Sequence, residues 1–242
     1  MNTVRNIEKG KNAEQERYYL RFPLSYRIQH IVLIFTFITL ILTGLPLLFP
    51  ESKILHSIIF IPAIFVLRGT LHRIAATVLV LLGVYHVLFV IFSVQGNRDA
   101  REIIPRASDI KMAVRSFLYN FGIVKLPPEY GRFRFIEKFQ YLAVVLATLI
   151  MIITGGILWF EEISMMLLPK WVMDITITVH GLEAIVVFLA LIVWHIYTVH
   201  FSAENFPMSN VWLDGKISED KLKKLHPLEY QKIKNTQKHP PQ

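Results

Sequence analysis

A chain of 242 residues with 53% apolar composition and a mean hydropathy of +0.44 is too hydrophobic for a water-soluble globular domain, so a membrane protein is expected. The absence of cysteine excludes covalently attached c-type haem, thiolate-held iron–sulfur clusters and disulfides, which leaves histidine to hold any redox centre. The net charge of +8 calls for no nucleic-acid partner, because its distribution along the chain follows membrane topology, with anionic lipid as a further contributor.

In chain order, the opening MNTVRNIEKGKNAEQERYYLRF lacks the apolar run and cleavage site of a signal peptide, so the first helix is expected to serve as an uncleaved insertion signal. Residues 28–49, 74–95 and 139–160 contain no Asp, Glu, Lys or Arg, and 175–203 contains only Glu183. About twenty residues at a rise of about 1.5 Å each cross a hydrocarbon core of about 30 Å. Four helices are therefore predicted, over about 28–49, 71–95, 137–160 and 175–203. The stretch 54–67 is short and holds Pro62 and His56, which predicts an interfacial segment. In the long connection between helices two and three, 109–121 (DIKMAVRSFLYNF) has helical apolar spacing and reads as an amphipathic surface helix. LPPEYG at 126–131 then breaks regular structure. The lysine-rich tail is expected to be loosely docked or mobile.

Lysine and arginine number six before residue 28, nine in 94–138 and seven after Phe201, against four (Lys53, Arg68, Arg73 and Lys170) in the other two connections. That asymmetry places both termini and the middle connection in the cytoplasm. The expected fold is all-α: an integral membrane four-helix bundle running up-down-up-down, with residues 1–217 forming the membrane domain and 218–242 a polar cytoplasmic tail. A prokaryotic inner membrane fits this topology.

The chain also repeats itself. RFPLSYRIQHIVLIFTFITLILTG (21–44) aligns without gaps on RFRFIEKFQYLAVVLATLIMIITG (132–155). Arg-Phe, Gln29/Gln140 and the closing Thr-Gly recur in register, whereas His30 of the first copy becomes Tyr141 of the second. The pattern reads as a parallel repeat of a helical hairpin.

Ionisable residues at membrane depth mark function. Of nine histidines, His226 and His239 lie in the tail and His56 in the short outer segment, and none of these is given a ligand role. His72 and His86 lie fourteen residues apart on helix two; His180 and His195 lie fifteen apart on helix four. The two helices run in the same direction, so the inner member of each pair lies deeper by about 21 and about 22 Å, rotated by about −40° and about +60° from the outer one. Paired imidazoles at two depths suit two bis-histidine haems, one near each leaflet. A zinc or copper site fits less well, since the levels are too far apart and no compact three-ligand cluster is evident. His30 opens helix one at the inner level, and His200 follows His195 by five residues on another face. These surplus histidines leave open a third haem, a proton carrier in contact with quinone, or ordinary headgroup-level histidines.

The segments RIQHIVLIFTFITLILTG, RGTLHRIAATVLVLLGVYHVLFVIF, RFRFIEKFQY…TGGILWF and VHGLEAIVVFLALIVWHIYTVHFSAENFPMSNVWLDGKI resemble the membrane cytochrome b subunits of nickel–iron hydrogenase, formate dehydrogenase and thiosulfate reductase type, and in particular the branch associated with multihaem c-type cytochromes. The resemblance implies two b-type haems and a quinone site near the cytoplasmic haem. It places the outer haem on His72 and His180 and the inner haem on His30 and His195. Spacing alone pairs His86 with His195 instead. The family pairing is adopted, His86 is the alternative to His30, and a third haem on His86 and His200 stays open.

Supporting roles follow. Arg68 and Arg73 flank His72 and either neutralise haem propionates or snorkel to the interface. Glu183 accepts the His180 imidazole N–H or pairs with Arg73. Glu137, beside Lys138, and His200 are candidates for proton exchange with a quinone. Gly44, Gly83, Gly155 and Gly156 allow close approach of helices or a macrocycle. The function read from these residues is an electron-transfer subunit, without a catalytic nucleophile of its own, linking an outer-face iron–sulfur or multihaem c-type partner, docked near His56, Arg68 and Lys170, to quinone. Two alternatives remain at this point: a histidine-relay proton transporter, which would carry no chromophore, and a haemless membrane anchor, which would tolerate His72→Ala and His180→Ala.

Overall fold

The computed structural model describes residues 16–49, 51–52 and 62–238. His56 and His239 lie outside that set, as do residues 54–61 of the short segment expected before helix two; residues 62–67 belong to helix two itself.

Four helices are long and apolar enough to cross a membrane. They are α1 (Leu24–Leu48), α2 (Pro62–Phe92), α5 (Phe135–Trp159) and α7 (Lys170–Leu189), the last continuing through two π-helical stretches, Ala190–His195 and Tyr197–Phe201. Each predicted span is found, and all four begin earlier than the apolar stretches 28–49, 74–95, 139–160 and 175–203. Pro23 and Pro169, both extended, set the starts of α1 and α7. The start of α5 is set by Glu137, whose Oε2 accepts the Arg134 backbone N–H at 3.0 Å.

Helix α1 is inverted relative to a helix of a water-soluble bundle. The buried residues of α1 are Gln29, Thr36, Thr43 and Pro46, with the polar ones spaced by seven, while Phe35, Ile38 and Leu42 face outward. Lipid solvates apolar side chains, so polar groups turn inward and find partners there. Threonine hydroxyls donate to the carbonyl four residues back, as Thr43 does to Thr39 at 2.6 Å and Thr154 to Ile150 at 2.7 Å. In the bundle α1 packs on α2, α5 packs on α7, and α1 also meets α7.

Between α2 and α5 lie two surface helices, not one. The expected amphipathic helix is α4 (Ala107–Asn120), and α3 (Val94–Ile103) precedes it, capped by Ser93, whose Oγ accepts the Gly96 N–H at 3.3 Å. On α4, Ile110, Val114 and Phe117 form an exposed apolar stripe, while Lys138 of α5 donates to both carboxylate oxygens of buried Asp109 at 3.0 Å. A seven-residue helix, α6 (Glu161–Leu167), links α5 to α7.

The tail is docked, contrary to the expectation of a loose or mobile one. After α8 (Val211–Asp214), strand β2 (Lys216–Ser218) pairs antiparallel with β1 (Tyr18–Leu20), Tyr18 opposite Ser218. Helices α9 (Glu219–Leu225) and α10 (Pro227–Lys238) follow. The reason is a buried charge clasp. Both copies of the repeated Arg-Phe meet there: Arg21 donates to the carbonyl of Arg132 and Arg132 to that of Arg21, while each arginine takes one oxygen of the Glu229 carboxylate. His226 is buried beside them with Nδ1 2.8 Å from the Gly131 carbonyl. Burial, reinforced by the Arg21 guanidinium, pushes the His226 imidazole down from 6.5 to about 4, so it is neutral at physiological pH.

Candidate functional site

Two histidine pairs form between the spans. His72 of α2 faces His180 of α7 with ring centroids 6.5 Å apart, and His30 of α1 faces His195, at the end of the first π stretch, at 6.2 Å. A metal–imidazole bond of about 2.0–2.1 Å, plus about 1.1 Å from nitrogen to ring centroid, puts two imidazoles at opposite poles of one iron about 6.2 Å apart. Both pairs have that separation. Among the described residues no group of three or more His, Cys, Asp or Glu has metal-holding geometry.

The His72–His180 pair is oriented by the repeat. Thr43 Oγ1 lies 2.9 Å from His72 Nδ1, and Thr154 Oγ1 lies 2.9 Å from His180 Nδ1. Each hydroxyl already donates to its own helix, so each oxygen accepts from the imidazole. That fixes the proton on Nδ1 of both rings and leaves Nε2 with its lone pair free to bind a metal. The next residue in each copy is glycine for a steric reason: a Cβ on Gly44 would stand 3.2 Å from His72 Cε1, and one on Gly155 would stand 3.2 Å from His180 Cε1. Thr154, and not Glu183, therefore receives the His180 N–H. Arg73 lies over the Trp159 ring, 5.5 Å from guanidinium carbon to centroid, beside the outer pair and not against Glu183. Arg68 lies one helical turn before His72 on α2.

The His30–His195 pair sits beside two buried donor atoms without hydrogen-bond partners. Trp212 of α8 packs edge-on against His30 at 6.0 Å, and its indole N–H is buried without a hydrogen-bond partner. Arg27, one turn before His30, donates from one arm to Leu213 O while its Nε is buried and unpartnered. Two orphaned cationic or polar donors beside an imidazole pair fit the carboxylate groups of a haem edge. The sequence reading did not single out either residue; the FPMSNVWLDGK segment was quoted, but nothing local ties Trp212 to a histidine 182 positions earlier.

The π-helical turns explain the unequal spacings. Each takes in an extra residue relative to an α turn. Fifteen residues from His180 to His195 then rotate like fourteen, about −40° in place of the about +60° expected from an unbroken α-helix. His86 and His195 thus become equivalent positions on their helices. They do not meet. His86 is engaged at both nitrogens, Nδ1 with Gln29 Oε1 at 2.8 Å and Nε2 with Tyr141 Oη at 3.0 Å, so the pairing of His86 with His195 read from spacing alone is replaced by His30 with His195. His200 lies within electrostatic reach of His30 and His195, its ring beside Phe201 at 6.5 Å, and it faces no second histidine ring among the described residues. Glu137 is tied to Arg134 at 3.2 Å and lies 3.7 Å from Arg21, which makes it part of the inner charge cluster.

A family model described as prokaryotic cytochrome b561 matches residues 21–204, which include all four spans and both histidine pairs. The comparison with curated proteins gives no match. With its four membrane-spanning helices, the chain belongs to this family of prokaryotic membrane b-type cytochromes, which bind haem and serve electron transfer.

Proposed function

We propose that the chain is a dihaem cytochrome b subunit that carries electrons between a redox partner at the outer face and the quinone pool. The single observation behind this reading is the pair of imidazole clamps at 6.5 and 6.2 Å, one toward each end of the bundle. A haem held by His72 and His180, or by His30 and His195, would supply a one-electron iron couple. The protein's own part is orientation and charge. Thr43 and Thr154 hold the outer ligands in the metal-binding tautomer, Arg68 and Arg73 supply positive charge at that end, and Arg27 and Trp212 present donors at the inner end.

The positive-inside distribution supports cytoplasmic termini in a prokaryotic inner membrane, which makes the His72–His180 end periplasmic and the His30–His195 end cytoplasmic. An iron–sulfur or multihaem c-type protein then docks at the outer end, and quinone exchanges electrons near the inner pair, where His200, with Nδ1 buried and without a hydrogen-bond partner, is the proposed proton carrier. Glu137 is given no such role, because Arg134 and Arg21 hold it as a structural carboxylate.

The test is a redox titration of the purified chain in lipid nanodiscs. After reduction with dithionite and removal of excess reductant, added quinone is expected to reoxidise the b-type α-band. A band that is present but indifferent to quinone overturns the quinone link, and the absence of any b-type band overturns the whole reading.

A further inference from the structure

The repeat is physical as well as textual. Arg21 and Arg132 exchange carbonyl contacts about Glu229, Thr43 and Thr154 serve His72 and His180 at the same distance, and Gly44 and Gly155 abut the same atom of the same two rings. These relations define an approximate two-fold axis exchanging α1 with α5 and α2 with α7. The outer pair straddles that axis and maps onto itself. The inner pair does not. His30 maps to Tyr141, and His195, once the π turn is allowed for, maps to His86.

The axis therefore generates a second inner position, opposite the His30–His195 clamp, and His86 and Tyr141 occupy it with ring centroids 6.0 Å apart against 6.2 Å. The chemistry differs. No hydrogen bond joins His30 to His195, whereas the Tyr141 phenol lies 3.0 Å from His86 Nε2. Ligand atoms at opposite poles of one iron stand about 4 Å apart, so a 3.0 Å contact is a hydrogen bond that closes the position. Gln29 Oε1 accepts at Nδ1, as Thr43 does for His72, so the Tyr141 phenol at Nε2 is the contact that closes the position.

We infer that Tyr141 sets the haem stoichiometry: by capping His86 it keeps a two-fold-related third clamp, competent for a b-type haem once a histidine faces His86, from forming. The inference rests on the proposed reading of His72–His180 and His30–His195 as haem clamps. Its substitution is already written in the repeat, where the residue matching Tyr141 is His30.

The experiment is pyridine haemochrome quantitation per chain, combined with low-temperature EPR of the oxidised protein. Wild type is expected to hold about two haems, and Tyr141→His about three, with a further low-spin bis-imidazole signal beside the original two. Adding His86→Ala to Tyr141→His is expected to return the count to two. His86→Ala alone, read independently of whether Tyr141→His folds, is expected to leave two haems and both EPR signals unchanged. A Tyr141→His protein that keeps its two signals and gains none overturns the inference while leaving the clamps standing. Three haems in wild type, or loss of a haem in His86→Ala, also overturns it. A wild type without haem removes the clamp reading and this inference together.

Discussion

Thr43 accepts a hydrogen bond from His72 across α1 and α2, and its own proton is committed to Thr39, so one hydroxyl fixes both the rotation and the tautomer of the imidazole. Thr154 repeats the arrangement for His180. Partners of this kind behind a metal-bound imidazole typically change metal affinity by about 10–100-fold.

Thr43→Val keeps the shape of the side chain and removes the acceptor. It is expected to weaken outer-haem retention by about 10–100-fold and to shift that haem's midpoint potential, with the inner haem unaffected. Thr43→Ser is expected to restore both. Potentiometric titration followed at the α-band, with haem loss measured on dilution, checks the pair.

Glycine next to each of these threonines has a steric role that can be tested separately. Gly44→Val places branched carbon where even a Cβ would lie 3.2 Å from His72 Cε1. Outer-haem EPR is expected to broaden or vanish in Gly44→Val, while Gly69→Ala on α2, where nothing stands within 4 Å, leaves it unchanged.

The spans were legible because runs such as 28–49 and 139–160 carry no charge, and the repeat was legible as Arg-Phe, Gln and Thr-Gly in register. Their meaning was not, because the two-fold axis exists only once α1 and α5 are set side by side. The π turns after Leu189 carry no proline or glycine to mark them in the sequence. The docked tail was illegible for another reason. Its helices are polar, and Glu229 is secured by Arg21, 208 residues away in sequence, and by Arg132, 97 residues away.

That clasp makes its own prediction. Glu229→Ala removes the carboxylate that both guanidinium groups share, while Arg132 keeps Asp99 at 2.8 Å and Arg21 keeps Glu137 at 3.7 Å, so the expected cost is below the about 3–5 kcal/mol of a fully uncompensated buried charge. Thermal unfolding of the haem-loaded protein in detergent is expected to shift downward clearly, and the tail after Ser218 to become sensitive to trypsin. Glu229→Gln, which keeps an acceptor, is expected to cost less.

Acid should act on the same clasp. His226 in the folded protein titrates near 4, below its ordinary 6.5, so its neutral form is the one the fold holds. Its contribution to stability is complete above pH 6.5, declines by up to about 1.4 kcal/mol per pH unit as the pH falls toward 4, and levels off below. Arg21 opposes protonation, while Glu137 and Glu229 partly favour it. Melting temperatures between pH 7.5 and 4.5 are expected to fall less steeply in His226→Gln than in wild type, by the contribution of this one group.

The most direct test of the central claim is haem content per chain in wild type, His72→Leu, His195→Leu and the double variant, each read by pyridine haemochrome and EPR. The account predicts about two low-spin haems in wild type, about one in each single variant with a different EPR signal lost in each, and none in the double variant. Haem content that survives replacement of both His72 and His195 would contradict it.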